Sequence, residues 1–143
     1  MRTINCPHCR KLIETTGVQE DIRRFHEKFN ISYDGPPRDL PKDVLEFRIK
    51  FLQEELKEYI EAKTLVKKYD ALLDLLYVVH GTLLLHGLPA NEGWAAVQAA
   101  NMSKVQSKGT TDRCQVPGFD IVKPEGWVGP EAELERIIRR LSK

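Results

Sequence analysis

Apolar residues recur along most of this chain at the three- and four-residue spacing that is typical of amphipathic helices. The pattern predicts five helices, over residues 18–29, 42–66, 69–86, 89–105 and 130–141. Gly87 supplies a C-cap for the third helix, and Pro89 occupies a favoured first-turn position of the fourth. No strand signal is convincing, although residues 116–122 could form a short extended piece. Short connections between long helices favour antiparallel neighbours, so we expect an all-α fold with a four-helix-bundle core.

Two segments lie outside this helical pattern. Residues 107–130 are rich in glycine and proline, so we expect an irregular segment before the last helix. Residues 1–16 form a separate short segment whose only feature is the sequence Cys6-Pro7-His8-Cys9. We therefore divide the chain into a Cys-x-x-Cys segment, residues 1–16, and an all-α domain, residues 17–143.

The 143 residues are enough for one domain with a proper core. Basic and acidic residues nearly cancel, and the formal charge of +1 indicates neither a nucleic-acid partner nor a membrane surface. The first residues lack a continuous apolar segment, so no signal peptide is predicted. The apolar stretch 71–88 contains Asp74, His80 and His86, which favours a core helix over a membrane span. Three cysteines, an odd number, argue against a disulfide framework and favour a cytoplasmic location.

Carboxylates are clustered on the second and third predicted helices: Glu54, Glu55, Glu58, Asp70 and Asp74. On the second helix, the apolar stripe that contains Phe47 and Phe51 continues into the glutamates. The third helix is apolar nearly all round, which predicts burial, and its two aspartates share one face. Grouping carboxylates near a core is costly unless a cation or hydrogen bonds compensate, and a hard cation such as Mg²⁺ prefers oxygen ligands. A solvated acidic face is the alternative, and it is favoured for the glutamates taken alone.

The pair Cys6 and Cys9 is half of a structural zinc site. Cys114, His26 or a symmetry-related copy would have to complete that site, because the sequence has no second pair at matching spacing. A redox role is disfavoured, since no βαβ pattern surrounds the pair. The remaining interpretation is a disordered tail with two reduced thiols.

Four stretches occur in a specific order, at residues 54–58, 70–85, 101–104 and 123–127. The ordered set resembles the all-α nucleoside triphosphate pyrophosphohydrolases, the MazG-like proteins, above all small single-domain members from phages and bacteria. Dimeric dUTPases and phosphoribosyl-ATP pyrophosphohydrolases are related to them. The second motif of this family is usually Glu-x-x-Asp. Here the glutamate position holds Ala71 if Asp74 is the aspartate, or Lys67 if Asp70 is. One carboxylate is therefore missing, and Asp70 is the residue that could replace it.

The resemblance implies metal-dependent hydrolysis of a (deoxy)nucleoside triphosphate to the monophosphate and pyrophosphate, with Mg²⁺ or Mn²⁺ as cofactor. A purine deoxynucleotide such as dGTP is favoured over dUTP or dCTP. Glu54, Glu55 and Glu58 are the implied catalytic residues, with Glu54 as general base. The implied metal ligands are Glu55, Glu58, Asp74 and Asp70. The non-catalytic alternative is a zinc-containing helical interaction module.

The substrate-binding residues that the resemblance implies are Asn101, Lys104, Lys123, Tyr77 and Trp127. The two lysines would screen phosphate charge, and Asn101 offers a donor and an acceptor to a base or sugar. Tyr77 is at least as well explained, together with His80, by buried packing with a polar tip. Trp127 either stacks on a base or anchors the C-terminal segment. We expect a homodimer or homotetramer in the cytoplasm, which is the host's if a phage encodes the chain.

Overall fold

The computed structural model describes residues 2–143, and the chain divides into two compact units, Met1–Ala90 and Asn91–Lys143. The described residues form five helices: α1 Val18–Lys28, α2 Lys42–Glu61, α3 Leu65–His86, α4 Ala90–Met102 and α5 Glu131–Leu141. Four short strands form two antiparallel pairs: β1 Arg2–Asn5 with β2 Leu12–Thr15, and β3 Val105–Gln106 with β4 Ile121–Val122. The helices dominate, and the predicted all-α fold class is confirmed.

The boundary between α2 and α3 is set by a capping side chain. The Lys67 amide donates a hydrogen bond of 3.3 Å to Oγ1 of Thr64, which therefore caps α3. Consequently α2 ends at Glu61 rather than at the predicted residue 66, and α3 begins four residues earlier than predicted. At its other end α3 stops at Gly87, whose left-handed φ of 71° provides the predicted C-cap.

Helix α3 is the centre of the first unit, because it packs against both α1 and α2. Its buried residues lie along one stripe: Ala71, Val78, Gly81 and Leu85. Other apolar residues of α3 are at least 40% exposed: Leu72, Leu73, Leu76 and Val79. The prediction that α3 is buried on most sides is therefore wrong for a single chain, since two neighbouring helices cover only one stripe.

Helix α1 also buries less than its apolar pattern predicts. Of four residues expected to face inward, Ile22 is buried, whereas Val18, Phe25 and Phe29 are exposed. Phe25 instead packs sideways on Phe29, with ring centroids 4.7 Å apart, and edge-on against Tyr77 of α3 at 5.3 Å. Part of the predicted core is therefore replaced by contacts among Phe25, Phe29 and Tyr77 at the surface of the unit.

A buried polar contact joins the three helices of the first unit. Arg48 of α2 donates from Nε to Oγ1 of Thr82 at 3.0 Å and from Nη2 to the Val78 carbonyl at 2.8 Å. His26 of α1 is buried beside it, and its pKa is lowered by burial and by the Arg48 charge. Gly81 of α3 makes room for both side chains, since a Cβ there would lie 2.8 Å from Arg48 Nη2 and 2.9 Å from His26 Nε2.

Gly81→Ala should therefore destabilise the protein by about 1–2 kcal/mol, because overpacking costs about 1–3 kcal/mol and exceeds the roughly 1 kcal/mol gain in helix propensity. Gly93→Ala in α4 is the matched control. Its Cβ would meet only Leu134 Cδ2, at 3.6 Å, an ordinary contact. Urea unfolding should show that Gly93→Ala is neutral or stabilising. Equal effects of the two substitutions would mean that Arg48 and His26 move aside without cost.

The strand assignments differ most from the sequence analysis. Residues 2–15 form a hairpin in which Ile4 pairs with Ile13, so the expectation of no convincing strand is wrong there. The signal consists of two short pairs, the β-branched Thr3-Ile4 and the apolar Leu12-Ile13, and neither is long enough to show alternation. β4 lies at the end of the segment predicted to be extended. The hairpin ends at Thr15, next to the predicted boundary at residue 16.

In the second unit, apolar contact and an ion pair join α4 and α5. Ile137 of α5 is buried, Gly93 of α4 lies close to Leu134, and Arg140 forms an ion pair with Glu92. Within residues 2–143, no single helix is long and apolar enough to cross a membrane. The residues of α3 and α4 satisfy that test only when they are counted together.

Candidate functional site

The five clustered carboxylates all lie in the first unit, on α2 and α3. Glu55 is buried, with 8% of its surface exposed, and the others are exposed: Glu54, Glu58, Asp70 and Asp74. Arg48 and Glu55 are the buried residues of α2, and they lie two turns apart on the face that packs against α3. A glutamate thus occupies a position where an apolar residue would be expected.

Glu55 is the electrostatic centre of this group. Its pKa is raised first by burial and then by the charges of Glu58, Asp74, Glu54 and Asp70, in that order of effect. The other four carboxylates therefore lie close enough to act on Glu55. Within residues 2–143, Oε2 of Glu55 is buried and has no hydrogen-bond partner. A buried carboxylate oxygen without a partner is costly, and a cation beside it would relieve that cost.

Protein cations compensate little of this negative charge. Among residues 2–143, Asp70 is the one member of the group in an ion pair, with Lys67 Nζ 3.9 Å from Oδ2 and both side chains largely exposed. Such a pair contributes about 0–1 kcal/mol. An open pocket of about 320 Å³ at the α2–α3 connection is lined by Glu58, Asp70, Lys63 and Lys67, among others. The sequence analysis did not identify these two lysines as possible partners of an anionic ligand.

The donor set suits a divalent cation, although the described residues contain no ready-made cluster of three metal-ligating side chains. It consists of carboxylate oxygens, one of which is buried and unpartnered. Ala71, one of the two positions where the resembled motif would have its glutamate, is 2% exposed and packs in the core. Asp70, next to it in sequence, is exposed and has the smallest effect on Glu55 of the four charges. Asp70 therefore lies at the edge of the cluster rather than at its centre.

Tyr77 and His80 both belong to α3. The Tyr77 ring packs against Phe25, and its pKa is raised by burial and then by the charge of Asp21. Within the described part of the chain, Nδ1 of His80 is buried without a hydrogen-bond partner. The contacts of Tyr77 are those of a packing residue between α1 and α3, and its role toward a ligand stays a prediction.

The other four candidate residues lie in the second unit, near the indole of Trp127. Nζ of Lys104 lies 5.1 Å from the ring centroid and Nζ of Lys123 lies 4.8 Å from it. Nε1 of Trp127 donates a 2.9 Å hydrogen bond to the Ala100 carbonyl, which fixes the ring beside the end of α4 and next to exposed Asn101. We call Asn101, Lys104, Lys123 and Trp127 the Trp127 cluster.

An open pocket of about 610 Å³ in the second unit is lined by Asn101 and Lys104 together with a pair that the sequence analysis missed. Nη2 of Arg113 lies 2.6 Å from Oδ1 of Asp120, and Oγ1 of Thr111 donates to Oδ2 at 2.7 Å. These bonds lower the pKa of Asp120 to about 2, so its charge offsets that of Arg113. Lys104, by contrast, forms no ion pair within residues 2–143, so its charge is available to an anionic ligand.

Mutual repulsion predicts the behaviour of the metal-free protein. Because the folded pKa of Glu55 is raised above its ordinary value of 4.5, the contribution of Glu55 to stability should be most favourable below that value and should fall as pH rises through the folded pKa. Asp74→Asn removes one of the charges that repel Glu55, so it should raise or barely change the melting temperature in EDTA. It should also reduce the loss of stability that occurs as pH rises. Thermal unfolding across pH measures both effects.

Asp112→Asn, at an exposed position in the second unit, is the control and should leave the pH profile unchanged. If Asp74→Asn instead destabilised the metal-free protein by about 3–5 kcal/mol, Asp74 would be half of a buried ion pair. The repulsive cluster would then be the wrong description.

Comparison with known protein families identifies a match to this chain. A family model described as phosphoribosyl-ATP pyrophosphohydrolase matches residues 22–101, which is more than half of the chain. The matched region begins in α1 and ends in α4, so it contains all five carboxylates and Tyr77. It does not reach Lys104, Lys123 or Trp127. A comparison with the curated proteins finds no match.

Proposed function

Because the chain belongs to the phosphoribosyl-ATP pyrophosphohydrolase family and is therefore a hydrolase of nucleotide pyrophosphate bonds, we propose that it converts a (deoxy)nucleoside triphosphate to the monophosphate and pyrophosphate. Membership in this family agrees with the superfamily that the motifs resemble, and the small MazG-like subtype is part of the proposal. The observation that carries it is the group of four carboxylates around buried, unpartnered Glu55.

Glu55, Glu58 and Asp74 would hold Mg²⁺ or Mn²⁺, with Asp70 at the edge of the site. When bound, the divalent cation supplies positive charge to phosphate oxygens and acidifies water. Burial of Glu55 fixes one carboxylate against the core, whereas Glu58 and Asp74 remain exposed and can adjust to a ligand. This combination suits a cation that must also accept oxygens from a triphosphate.

Glu54 is the proposed general base. It is exposed, and its charge acts on Glu55, so it lies within the cluster but on the solvent side. A carboxylate in that position can accept a proton from the water that attacks the α-phosphorus. The pyrophosphate then leaves, and the nucleoside monophosphate retains the α-phosphate.

The Trp127 cluster is proposed to bind the phosphates. Two ammonium groups lie within 5.1 Å of the centroid of one indole ring, which holds both charges near each other. This geometry favours Trp127 as a support for the lysines over Trp127 as a stacking surface for a base. Asn101 is proposed to contact the base or sugar, and Tyr77, in the first unit, is proposed as a further substrate-binding residue.

For the base, we propose a purine deoxynucleotide such as dGTP, with dUTP or dCTP as the alternative. The test is a panel of these nucleotides and phosphoribosyl-ATP, each with Mg²⁺ or Mn²⁺, in which pyrophosphate release is measured. We expect the highest kcat/KM with dGTP. A higher kcat/KM with phosphoribosyl-ATP would show that the proposed substrate class is wrong. A higher kcat/KM with dUTP or dCTP would show that the proposed purine base is wrong. Absence of turnover with every compound would favour the non-catalytic zinc-containing module.

A homodimer or homotetramer is proposed because apolar side chains on α2 and α3 are exposed in one chain. Ile60 is 72% exposed and Leu65 is 83% exposed. Burying such residues against a second copy is favourable by about 25 cal/mol per Å². Sedimentation equilibrium should show a dimer or tetramer that Ile60→Glu weakens. A monomer at micromolar concentration would contradict this assembly.

A further inference from the structure

The turn of the N-terminal hairpin places a backbone amide close to the sulfur of Cys6. The Cys6 amide donates to the Lys11 carbonyl at 2.8 Å, and the Arg10 amide donates to the Cys6 carbonyl at 2.8 Å. The Cys9 amide points at the thiol instead, with its nitrogen 3.5 Å from Cys6 Sγ. Arg10 completes the turn with a left-handed φ of 58°. The backbone thus presents two cysteines from one tight turn, with an N–H group directed at one sulfur.

An N–H group directed at the sulfur favours the ionised form of the thiol, because a hydrogen bond stabilises the charged form. The thiolate, and not the thiol, is the metal ligand. Cys6 and Cys9 are both free cysteines, so neither sulfur is engaged in a disulfide.

The hairpin also lacks sufficient packing to be stable by itself. Every residue of β1 and β2 is exposed, and Ile4 and Leu12 are 64% and 60% exposed. An isolated two-stranded hairpin is marginal in water, and small elements of this kind are commonly held by a metal or a partner. The turn therefore occurs in a segment that needs an additional cross-link.

We propose that Cys6 and Cys9 bind Zn²⁺ as thiolates, and that the same two cysteines of a second copy of this chain complete a tetrahedral four-cysteine site. Structural zinc is almost always four-coordinate. Within residues 2–143, no group of three metal-ligating side chains is assembled around the pair. His26, which the sequence offered as a candidate, is buried beside the cationic Arg48 and close to Gly81.

A second copy fits the remaining features of the hairpin. Cys9 is exposed, so an identical turn can approach it. Ile4 and Ile13 pair across the strands on one exposed face, which supplies apolar surface for contact between copies. Zinc with four thiolates carries a net charge of −2, and each copy brings Arg10 and Lys11 next to the site. Binding releases the thiol protons to solvent, so affinity should rise with pH.

The experiment uses the full chain under a phosphine reductant. Zinc content and native mass spectrometry should give one Zn²⁺ per two chains. In Ile60→Glu, where the helix contact between copies is weakened, a chelator that removes this zinc should halve the mass of the assembly. Cys6→Ser and Cys9→Ser should each lose this zinc, whereas Cys114→Ser and His8→Ala should retain it. Co²⁺ should show thiolate-to-metal charge transfer in the wild type and not in Cys6→Ser, which separates this site from the carboxylate cluster.

Several outcomes would overturn the assignment. A stoichiometry of one zinc per chain would contradict a site shared by two copies, and so would failure to retain zinc at micromolar protein concentration. Loss of zinc in Cys114→Ser or His8→Ala would contradict the ligand set. Zinc that is lost in Glu58→Gln but not in Cys6→Ser would lie at the carboxylates instead. Hydrogen exchange gives an independent readout, since chelation should increase exchange in residues 2–15 and leave α2 and α3 protected. Pyrophosphate release by Cys6→Ser should persist, so failure of the zinc site and failure of the proposed hydrolysis are distinguishable.

Discussion

Glu58→Gln should lower kcat/KM for nucleotide hydrolysis by more than about 100-fold, because loss of even an outer partner of a metal ligand costs about 10–100-fold. Of the four surrounding charges, that of Glu58 has the largest effect on Glu55, and Glu58 lines the same pocket as Asp70. The side chain is exposed, so the isosteric amide should change stability by no more than about 0.5 kcal/mol. Pyrophosphate release measures the first effect, and circular dichroism checks that the helices remain.

Glu61→Gln is a demanding control for that substitution. Glu61 lies on the same helix and lines the same pocket, but it pairs with Lys57 and is not among the charges that act on Glu55. Its activity should stay near that of the parent. Glu54→Gln should lose turnover without raising the Mg²⁺ concentration needed for half-maximal rate, whereas Glu58→Gln should raise it. Parental turnover by Glu58→Gln would remove Glu58 from the ligand set.

Helical periodicity predicted the helices well because the three- and four-residue spacing of apolar residues is a property of local sequence. Periodicity did not predict features that depend on a single capping side chain or on a residue of a neighbouring helix. Thr64 ends the pattern between α2 and α3 by capping, although Leu65 and Val66 continue the apolar run. Arg48 is buried because Gly81, thirty-three positions away, leaves it room, and no pattern around Arg48 indicates that.

The carboxylates and the Trp127 cluster differ in how far sequence could predict them. The carboxylates lie on two regular helices joined by a short turn, so their spacing was enough to place them near one another, as the effect of four charges on Glu55 shows. The Trp127 cluster depends on the irregular segment after α4. There the Arg113–Asp120 pair and the hydrogen bond from Trp127 to Ala100 set the geometry, and neither contact follows from periodicity.

Lys104→Ala should weaken triphosphate binding or slow turnover by about 10- to 100-fold, since a charge-assisted contact contributes about 1.5–3 kcal/mol. Lys104 lines the open pocket of about 610 Å³ in the second unit, forms no ion pair among residues 2–143, and is held 5.1 Å from the centroid of the Trp127 ring. A surface cation–π contact contributes only about 0.5–1 kcal/mol, so stability should change little. Steady-state kinetics and titration calorimetry with a non-hydrolysable triphosphate separate turnover from binding.

Comparing the affinities for the triphosphate substrate and the monophosphate product shows which phosphate group Lys104 contacts. The loss of affinity should be smaller for the monophosphate, which offers fewer oxygens to a point charge. Lys108→Ala, an exposed lysine of the same unit, is the matched control and should leave both affinities unchanged. Equal weakening of triphosphate and monophosphate would place Lys104 at the α-phosphate or the base. Unchanged binding and turnover in Lys104→Ala would show that the Lys104 ammonium interacts only with the Trp127 ring. The phosphate site would then have to lie elsewhere. Lys63 and Lys67, which line the pocket with Glu58, would be the next cations to test.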